Sequence, residues 1–296
     1  MPSIRCICIG AGAAGRAVLK ALSRAHGFQC DLLIDRSRRG SHDLPIRRDV
    51  PKVLPDCELL LLAVQDRELP ALVEELRHRS GPKPGVVAHL SAATPLAVLN
   101  PLQALGWQPA LLHPLQSFPP DHSDLWEKEP HIPWWGLCGT EAATSMLSQL
   151  LDSLGAQYRV LDEKEQLAWH LSAVWVSNLL PALLEQALQL WAPERRGEMR
   201  SALLPIMSQT LRHQELAQAS GQPAFSGPLR RGDTVSLRRH LDWLAEHGST
   251  RAGLSYRLLS ATLLELLESL GENPLAADPA LRAELLALPR PDGRED

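Results

Sequence analysis

The residues with the clearest chemical role form a glycine-containing turn near the start of the 296-residue chain. The run GAGAAG, residues 10 to 15, directly follows an apolar stretch that is typical of a strand and opens a helical pattern. In that context the first glycine permits a tight turn, the second lets the backbone approach a pyrophosphate, and the third lets the helix pack on the strand. The free N–H groups at the helix start face the anion. The turn therefore predicts a dinucleotide site built from Gly10, Gly12, Ala13, Ala14 and Gly15.

The end of the second predicted strand bears on which nucleotide binds. Asp35 lies 20 residues after Gly15, where an acidic group accepts hydrogen bonds from the adenosine ribose and favours NAD. Arg36 and Ser37 follow at once, with two more arginines behind them, and an arginine beside a hydroxyl favours the 2′-phosphate of NADP. Solvated surface arginines are the alternative interpretation. We expect NADP, with NAD still open.

Three further strand ends bring polar or small residues to the same edge of the predicted sheet. Ala63 and Val64 end one strand and Ser91 follows the next, so we expect them to line the nicotinamide half of the site. His113 ends a further strand, where Pro114 sets the turn and the imidazole can face the cofactor. His113 is therefore a candidate catalytic residue, and a structural histidine is the alternative.

A long apolar helix supplies two more candidates. His170 and Asn178 are eight residues apart, about two helical turns, so they can share one face and point at one cleft. Both are therefore candidate catalytic residues, and the imidazole of His170 could act as an acid or base. A histidine and an asparagine that bond to each other or to a neighbouring helix are the alternative.

A loop in the second half of the chain contains Arg230, Arg231 and Asp233, directly before a helix that starts near Thr234. The two arginines could bind a substrate carboxylate or phosphate. In the alternative interpretation Asp233 caps the helix and the arginines pair with helix ends.

The order of the predicted elements indicates an α/β fold with two domains. Short apolar runs alternate with helical patterns up to residue 161, which predicts a Rossmann-type doubly wound sheet. From residue 163 onward the patterns are helical, at about 163 to 192, 198 to 220, 234 to 247, 250 to 270 and 279 to 288. We therefore expect an NAD(P)-binding domain over 1–161 and an all-helical substrate and dimerisation domain over 162–296.

The composition of the chain argues against several classes of function. A formal net charge of −4 argues against a nucleic-acid surface. No second cluster of ligands accompanies Cys6 and Cys8, so we expect no metal site, and the five scattered cysteines are typical of buried free thiols in a reducing, cytoplasmic compartment. The apolar run from Leu167 to Trp191 contains several polar residues, which favours a buried core or interface helix over a membrane span.

Four segments together resemble a known family: HLSAA at 89–93, LLHPLQSF at 111–118, WHLSAVWVSN at 169–178 and FSGPLRRGD at 225–233. The family is a bacterial one that joins a Rossmann-like NAD(P)-binding domain to a helical domain of unknown function, and the resemblance spans nearly the whole chain. The chain is similar, more distantly, to pyrroline-5-carboxylate reductase, ketopantoate reductase and the 6-phosphogluconate and 3-hydroxyisobutyrate dehydrogenases.

That resemblance implies a helical domain like the C-terminal domain of 6-phosphogluconate dehydrogenase, through which the chain forms a homodimer. It also implies hydride transfer to or from a small anionic substrate at the cleft between the domains. In the hydroxyacid dehydrogenases a helix offers a lysine and, four residues later, an asparagine. Asn178 matches the asparagine, but Val174 stands where the lysine would be, so His170 is the candidate substitute. A non-catalytic NAD(P)-binding or sensing protein is the alternative function.

Overall fold

The computed structural model describes residues 3–36, 45–118, 133–218, 221 and 224–287. The chain divides into two compact units, Met1–Leu179 and Leu180–Asp296, and each is described by itself.

The first unit is built on an eight-stranded sheet in the order β3-β2-β1-β4-β5-β6-β7-β8. β6 and β7 are antiparallel to each other, and the other neighbouring pairs are parallel. The order of the first six strands is that of a dinucleotide-binding doubly wound sheet. The strands are β1 Ile4–Ile9, β2 Phe28–Ile34, β3 Ile46–Arg47, β4 Leu59–Leu62, β5 Val86–His89, β6 Gln108–Pro114, β7 Trp135–Gly139 and β8 Tyr158–Val160.

The helices of this unit cover both faces of the sheet, because successive side chains of a buried strand point to opposite sides. Along β4, Leu59 and Leu61 pack in one apolar layer with Val18 and Leu147, while Leu60 packs in the other layer. The helices are α1 Ala13–Leu22, α2 Leu69–Arg77, α3 Asn100–Gln103, α4 Glu141–Ser153 and α5 Glu163–Ala173. The predicted α/β fold class is thereby confirmed.

The cysteines of the sheet lie in its core. Cys6 and Cys8 are fully buried in β1, and all five cysteines of the chain are free thiols. Burial raises the pKa of Cys6 and Cys8 well above the ordinary thiol value, because the thiolate loses its hydration there. The interpretation of these residues as core packing is confirmed.

The second unit is helical, with its core around Leu229, Leu237, Leu264, Leu267 and Leu281. Asp233 and Asp278 cap α8 and α10 through their side chains. The helices are α6 Leu180–Gln189, α7 Arg196–Gln218, α8 Thr234–His247, α9 Thr250–Ser269 and α10 Pro279–Leu286. The predicted helices from 198 onward agree with these bounds to within two residues.

The helix predicted over 163 to 192 is interrupted. α5 ends at Ala173, the segment Val174–Asn178 forms a π-helical turn, and α6 begins at Leu180. α5 belongs to the first compact unit because its Gln166 and Trp169 donate hydrogen bonds to the loop after β5 and to β6. The units thus divide after residue 179, while the domain boundary at 161 stays a prediction.

The expectation that the apolar run from Leu167 to Trp191 forms a buried core helix is wrong for the single chain. Only 6% of the most apolar window in Glu163–Gln189 is buried, and by length and composition alone this run could cross a membrane. Exposed large side chains recur along it, among them Leu171, Trp175 and Leu183. The interface alternative for this run stays a prediction.

Candidate functional site

The glycine turn between β1 and α1 combines two packed positions with one open position. Gly10 has φ +107°, and a Cβ there would lie 2.3 Å from the carbonyl oxygen of Ala63. A Cβ on Gly15 would lie 2.5 Å from the carbonyl oxygen of Gly10 and 2.9 Å from the Cβ of Ala63. A Cβ on Gly12, the N-cap of α1, would meet nothing within 4 Å. Gly10 and Gly15 are therefore required by packing, whereas Gly12 leaves open space beside the start of a helix.

The open position lies at the point where the strand order reverses. β1 pairs with β2 on one side and with β4 on the other, and the Ala63 N–H donates to the Ile9 carbonyl at 2.7 Å. Ligands of doubly wound sheets bind in the crevice at this reversal, outside the carboxyl ends of the strands. The N–H groups of Ala13 and Ala14, in the first turn of α1, are positioned for an anion there. The geometry of the turn fits a dinucleotide pyrophosphate.

The residues that follow β2 are compatible with either NAD or NADP. Asp35 is 8% exposed, and its backbone N–H donates to the Arg47 carbonyl at 2.9 Å. Arg36 pairs with Glu75 of α2 at 3.1 Å, yet its side chain remains 72% exposed. A pair this exposed is weak, so the guanidinium can turn to another anion at little cost. Ser37 and the two arginines behind it lie outside the described residues.

Histidines from two elements meet at the same edge of the sheet. The rings of His113 in β6 and His170 in α5 are 5.7 Å apart between centroids, with planes at 85°. The Trp169 indole donates its Nε1–H to Nδ1 of His113 at 3.2 Å. Gln166, one turn earlier, donates its amide to the carbonyls of Ala92 at 3.1 Å and Thr94 at 2.6 Å, which holds α5 on the loop after β5.

Burial governs the protonation of the sheet histidines. Burial lowers the pKa of His113 to about 4, the charges of His170 and His89 lower it further, and the Asp66 carboxylate opposes them. Burial also lowers the pKa of His89, the last residue of β5, to about 4, opposed by Asp66 and by the Ser91 backbone. Both imidazoles are therefore neutral at neutral pH. A neutral imidazole exchanges hydrogen bonds without charge.

His89, Trp169 and Gln166 belong to this site but are absent from the predicted site residues. Both ring nitrogens of His89 are buried and lack a hydrogen bond of good geometry with any described residue. The signal for His89 is its place at the carboxyl end of a buried strand. Nothing in the sequence marks Trp169 as a partner of a histidine 56 positions earlier. Within the described ranges, no three histidine, cysteine or acidic side chains come together as a metal site.

Ser91 and Val64 lie at the predicted edge, and the side chain of Ser91 makes polar contacts. Its hydroxyl lies 2.9 Å from the Thr94 hydroxyl and accepts from the Thr94 N–H at 3.2 Å, which closes the turn after β5. Val64 packs against the apolar layer that contains Leu62. Their roles toward a cofactor stay predictions.

Asn178 ends the π turn and is exposed. Eight residues of regular α-helix would place Asn178 about 80° away from His170 around the axis. The π turn adds one residue to the turn, so the separation resembles seven residues and the offset falls to about 20°. The π turn therefore brings His170 and Asn178 closer to one face of the helix than the residue spacing alone predicts. The structure brings His113 and His170 together and places Asn178 two turns further along.

The loop before α8 has the contacts of a structural loop. The Asp233 carboxylate accepts from the Ser236 N–H at 3.0 Å and from its hydroxyl at 2.7 Å, and both bonds hold the pKa of Asp233 below its usual range. Arg230 donates to the Phe225 carbonyl at 2.8 Å and pairs with Glu272 at 3.2 Å. Arg231 is exposed. The substrate clamp of Arg230, Arg231 and Asp233 stays a prediction that none of these contacts supports.

The second unit also contains an apolar cavity that the sequence does not indicate. Its volume is about 580 Å³, and its apolar walls include leucines of α6, α8 and α9 together with Trp243. Its polar lining residues include His240 and Tyr256, whose Nδ1 and hydroxyl lie 2.8 Å apart.

The comparisons with known proteins divide the chain earlier than the compact units do, because the second matched profile begins within the first unit. Residues 2–114 match the family profile of a Rossmann-like domain, and residues 134–263 match that of a domain of unknown function, DUF2520. The chain thus joins a Rossmann-like domain to a DUF2520 domain, as the four sequence segments indicate. A comparison with curated proteins finds no match.

Several solved structures share the fold over most of the chain. A candidate NADP oxidoreductase, BF3122 from Bacteroides fragilis, is 21% identical with a TM-score of 0.65, covering 89% of this chain and 98% of that one. Protein TM1727 from Thermotoga maritima is 18% identical with a TM-score of 0.63, covering 90% and 100%. A reductive aminase from Aspergillus terreus, in complex with NADPH and ethyl-5-oxohexanoate, is 15% identical with a TM-score of 0.54, covering 89% and 94%.

The open space at Gly12 gives a direct test of the cofactor site. Gly12→Val should leave the thermal unfolding midpoint nearly unchanged, because a side chain there meets no atom and the backbone angles suit valine. The Kd for NADPH should rise about tenfold or more, because the side chain occupies the space of the pyrophosphate. Isothermal titration calorimetry measures the Kd for NADPH and for NADH.

Gly253→Ala is the matched control, since a Cβ at that helical glycine also meets nothing within 4 Å. It should leave the affinity for both nucleotides intact. An unaltered NADPH affinity in Gly12→Val would remove the glycine turn from the proposed site.

Proposed function

We propose that the protein is an NAD(P)-dependent oxidoreductase that acts on a small, anionic carbonyl, imine or hydroxy compound. The observation that carries the proposal is the open Gly12 position between the packed Gly10 and Gly15, at the reversal of the strand order. The histidines at the ends of β5 and β6 lie on the same carboxyl edge of the sheet, where a bound nicotinamide would extend.

The cofactor we propose is NADP, with NAD as the alternative. The exposed Arg36 guanidinium can bind a 2′-phosphate. The names of the Bacteroides and Aspergillus proteins, which share the fold, refer to NADP and NADPH. Bound NADPH would supply the hydride, and the residues of this chain would bind, orient and protonate the substrate.

The residues we assign to chemistry are His113, His170 and Asn178. His170 lies against His113 at the carboxyl edge of the sheet, and we assign it to proton exchange with the substrate. Asn178 offers an amide on nearly the same face of the helix as His170, and we assign it to substrate orientation.

A non-catalytic NAD(P)-binding or sensing protein is the second candidate function. One observation favours it: Val174 stands four residues before Asn178, so the lysine of the hydroxyacid dehydrogenases is missing. This candidate shares the cofactor site and differs only at hydride transfer.

A homodimer formed through the helical unit is the assembly we propose. α7 has 23 residues and no buried side chain, and Leu204, Ile206, Leu211 and Leu216 are all exposed. Helices in proteins draw most of their stability from packing apolar side chains, so a helix with none buried needs a partner, and a second copy presents the same helix. The free cysteines suit the reducing cytoplasm, where we place the protein.

The catalytic proposal predicts oxidation of the cofactor by a substrate of the stated class. Purified protein should oxidise NADPH faster than NADH with at least one member of a panel of 2-keto acids, cyclic imines and aldehydes, measured at 340 nm. Gly12→Val provides the background rate. A panel without turnover, from protein that binds NADPH, would favour the sensing protein.

The assignment of His170 and Asn178 predicts a separation of turnover from cofactor binding. His170→Ala and Asn178→Ala should each lower kcat about 100-fold, because each removes a group that acts on the substrate. Both should leave the NADPH Kd within about twofold, because neither residue belongs to the glycine turn. His213→Ala, at an exposed histidine of α7, is the matched control. Full activity in both variants would refute the assignment.

The dimer proposal predicts a solution mass of twice 32.6 kDa by light scattering. Ile206→Glu should shift the mass toward the monomer, because it places a charge at an exposed apolar position of α7. Gln103→Glu adds a charge at an exposed polar position of α3, in the first unit, and should remain dimeric. A monomeric wild-type protein would overturn the proposal.

A further inference from the structure

The contact between Trp169 and His113 defines which nitrogen of His113 carries the proton. An indole Nε1 only donates, so Nδ1 of His113, at 3.2 Å from it, must be an unprotonated acceptor. The proton of the neutral ring is then on Nε2. Protonation of Nδ1 would set two N–H groups against each other, so this contact and burial both keep the ring neutral.

The sheet provides a space for the indole directly beside His113. Gly136 in β7 is the residue opposite His113 in the antiparallel β6–β7 pair, so a side chain there would share the face of His113. A Cβ on Gly136 would lie 2.9 Å from Nε1 of Trp169 and 2.8 Å from Cδ1 of Leu161. The missing side chain therefore makes the contact possible.

Three charged or titratable groups surround His113 from other elements. His170 of α5 packs against its ring, while His89 of β5 and Asp66, just after β4, act on it electrostatically. Among the described residues none of the three hydrogen-bonds Nε2 of His113. That N–H is therefore available to a ligand.

We infer that Trp169 is a positioning residue that holds His113 in its Nε2–H form, so that His113 donates a hydrogen bond to an acceptor oxygen of the reacting complex. The ligand chemistry is a carbonyl or carboxylate oxygen, supplied by the substrate or by the carboxamide of the nicotinamide. The identity of this acceptor rests on the proposed function. The position of the proton on the His113 ring does not rest on that function, because it is a property of the ligand-free protein.

The test is the ¹⁵N NMR spectrum of the imidazole rings in the full-length protein at pH 7.5, with His113→Gln to assign the signals. In the wild type, Nδ1 of His113 should have the shift of an unprotonated nitrogen and Nε2 that of a protonated one. The opposite pattern, or an even mixture of the two forms, overturns the inference without reference to activity.

Two variants break the contact in different ways. Trp169→Phe removes the indole N–H donor. Gly136→Ala retains the indole but displaces it from His113. Both should increase the Nδ1–H fraction of His113 and raise the midpoint of its titration, because the opposing N–H is gone. Trp175→Phe, at an exposed tryptophan six residues later, should change neither quantity. Unchanged His113 signals in both contact variants would assign Trp169 to packing alone.

Kinetics with an active substrate distinguish the two sources of the acceptor. The loss of one neutral hydrogen bond corresponds to roughly a three- to tenfold change. A substrate acceptor predicts that Trp169→Phe lowers kcat/KM for the substrate by that factor and leaves the KM for NADPH unchanged. A carboxamide acceptor predicts a rise in the KM for NADPH. If neither parameter changes, His113 donates to no ligand and that part of the inference is refuted.

Discussion

The close approach of the β1–α1 turn to the end of β4 is the constraint on which the cofactor site depends. Gly10 and Gly15 meet Ala63 at distances that leave no room for a side chain on either glycine. This contact fixes where α1 starts, and it aims the first N–H groups of the helix at the crevice between β1 and β4. Gly12 completes the arrangement because it keeps that crevice open.

A second set of contacts holds residues of helix α5 at the same edge of the sheet. The Gln166 amide satisfies two loop carbonyls, and the Trp169 indole reaches His113. Unpaired polar groups at this depth would be costly, so these bonds hold α5 in one orientation. His170, the residue after Trp169, is thereby carried to His113. The candidate chemistry thus lies within the first compact unit.

The regular elements were predictable because their side chains follow a single period. The strand Ile4–Ile9 lies directly before the glycine turn, as predicted, and the helix Thr234–His247 matches its predicted bounds, since apolar spacing and a capping Asp233 mark them locally. The two-residue strand β3 is too short to have a period. The exposure of Leu171 and its neighbours was missed, because spacing indicates an apolar face but not what covers it. The Trp169–His113 contact depends on the fold itself.

The π turn at Val174–Asn178 changes which residues of this helix are equivalent to those of a regular helix. One extra residue per turn means that a position four before Asn178 in a regular helix corresponds here to five before it. Against a relative whose helix is regular here, a gap-free alignment compares the dehydrogenase lysine with Val174, whereas the position one regular turn before Asn178 is Ala173. Neither residue has an amine, so the missing lysine is independent of the alignment. A comparison with a relative whose helix is regular at this point therefore needs a one-residue gap.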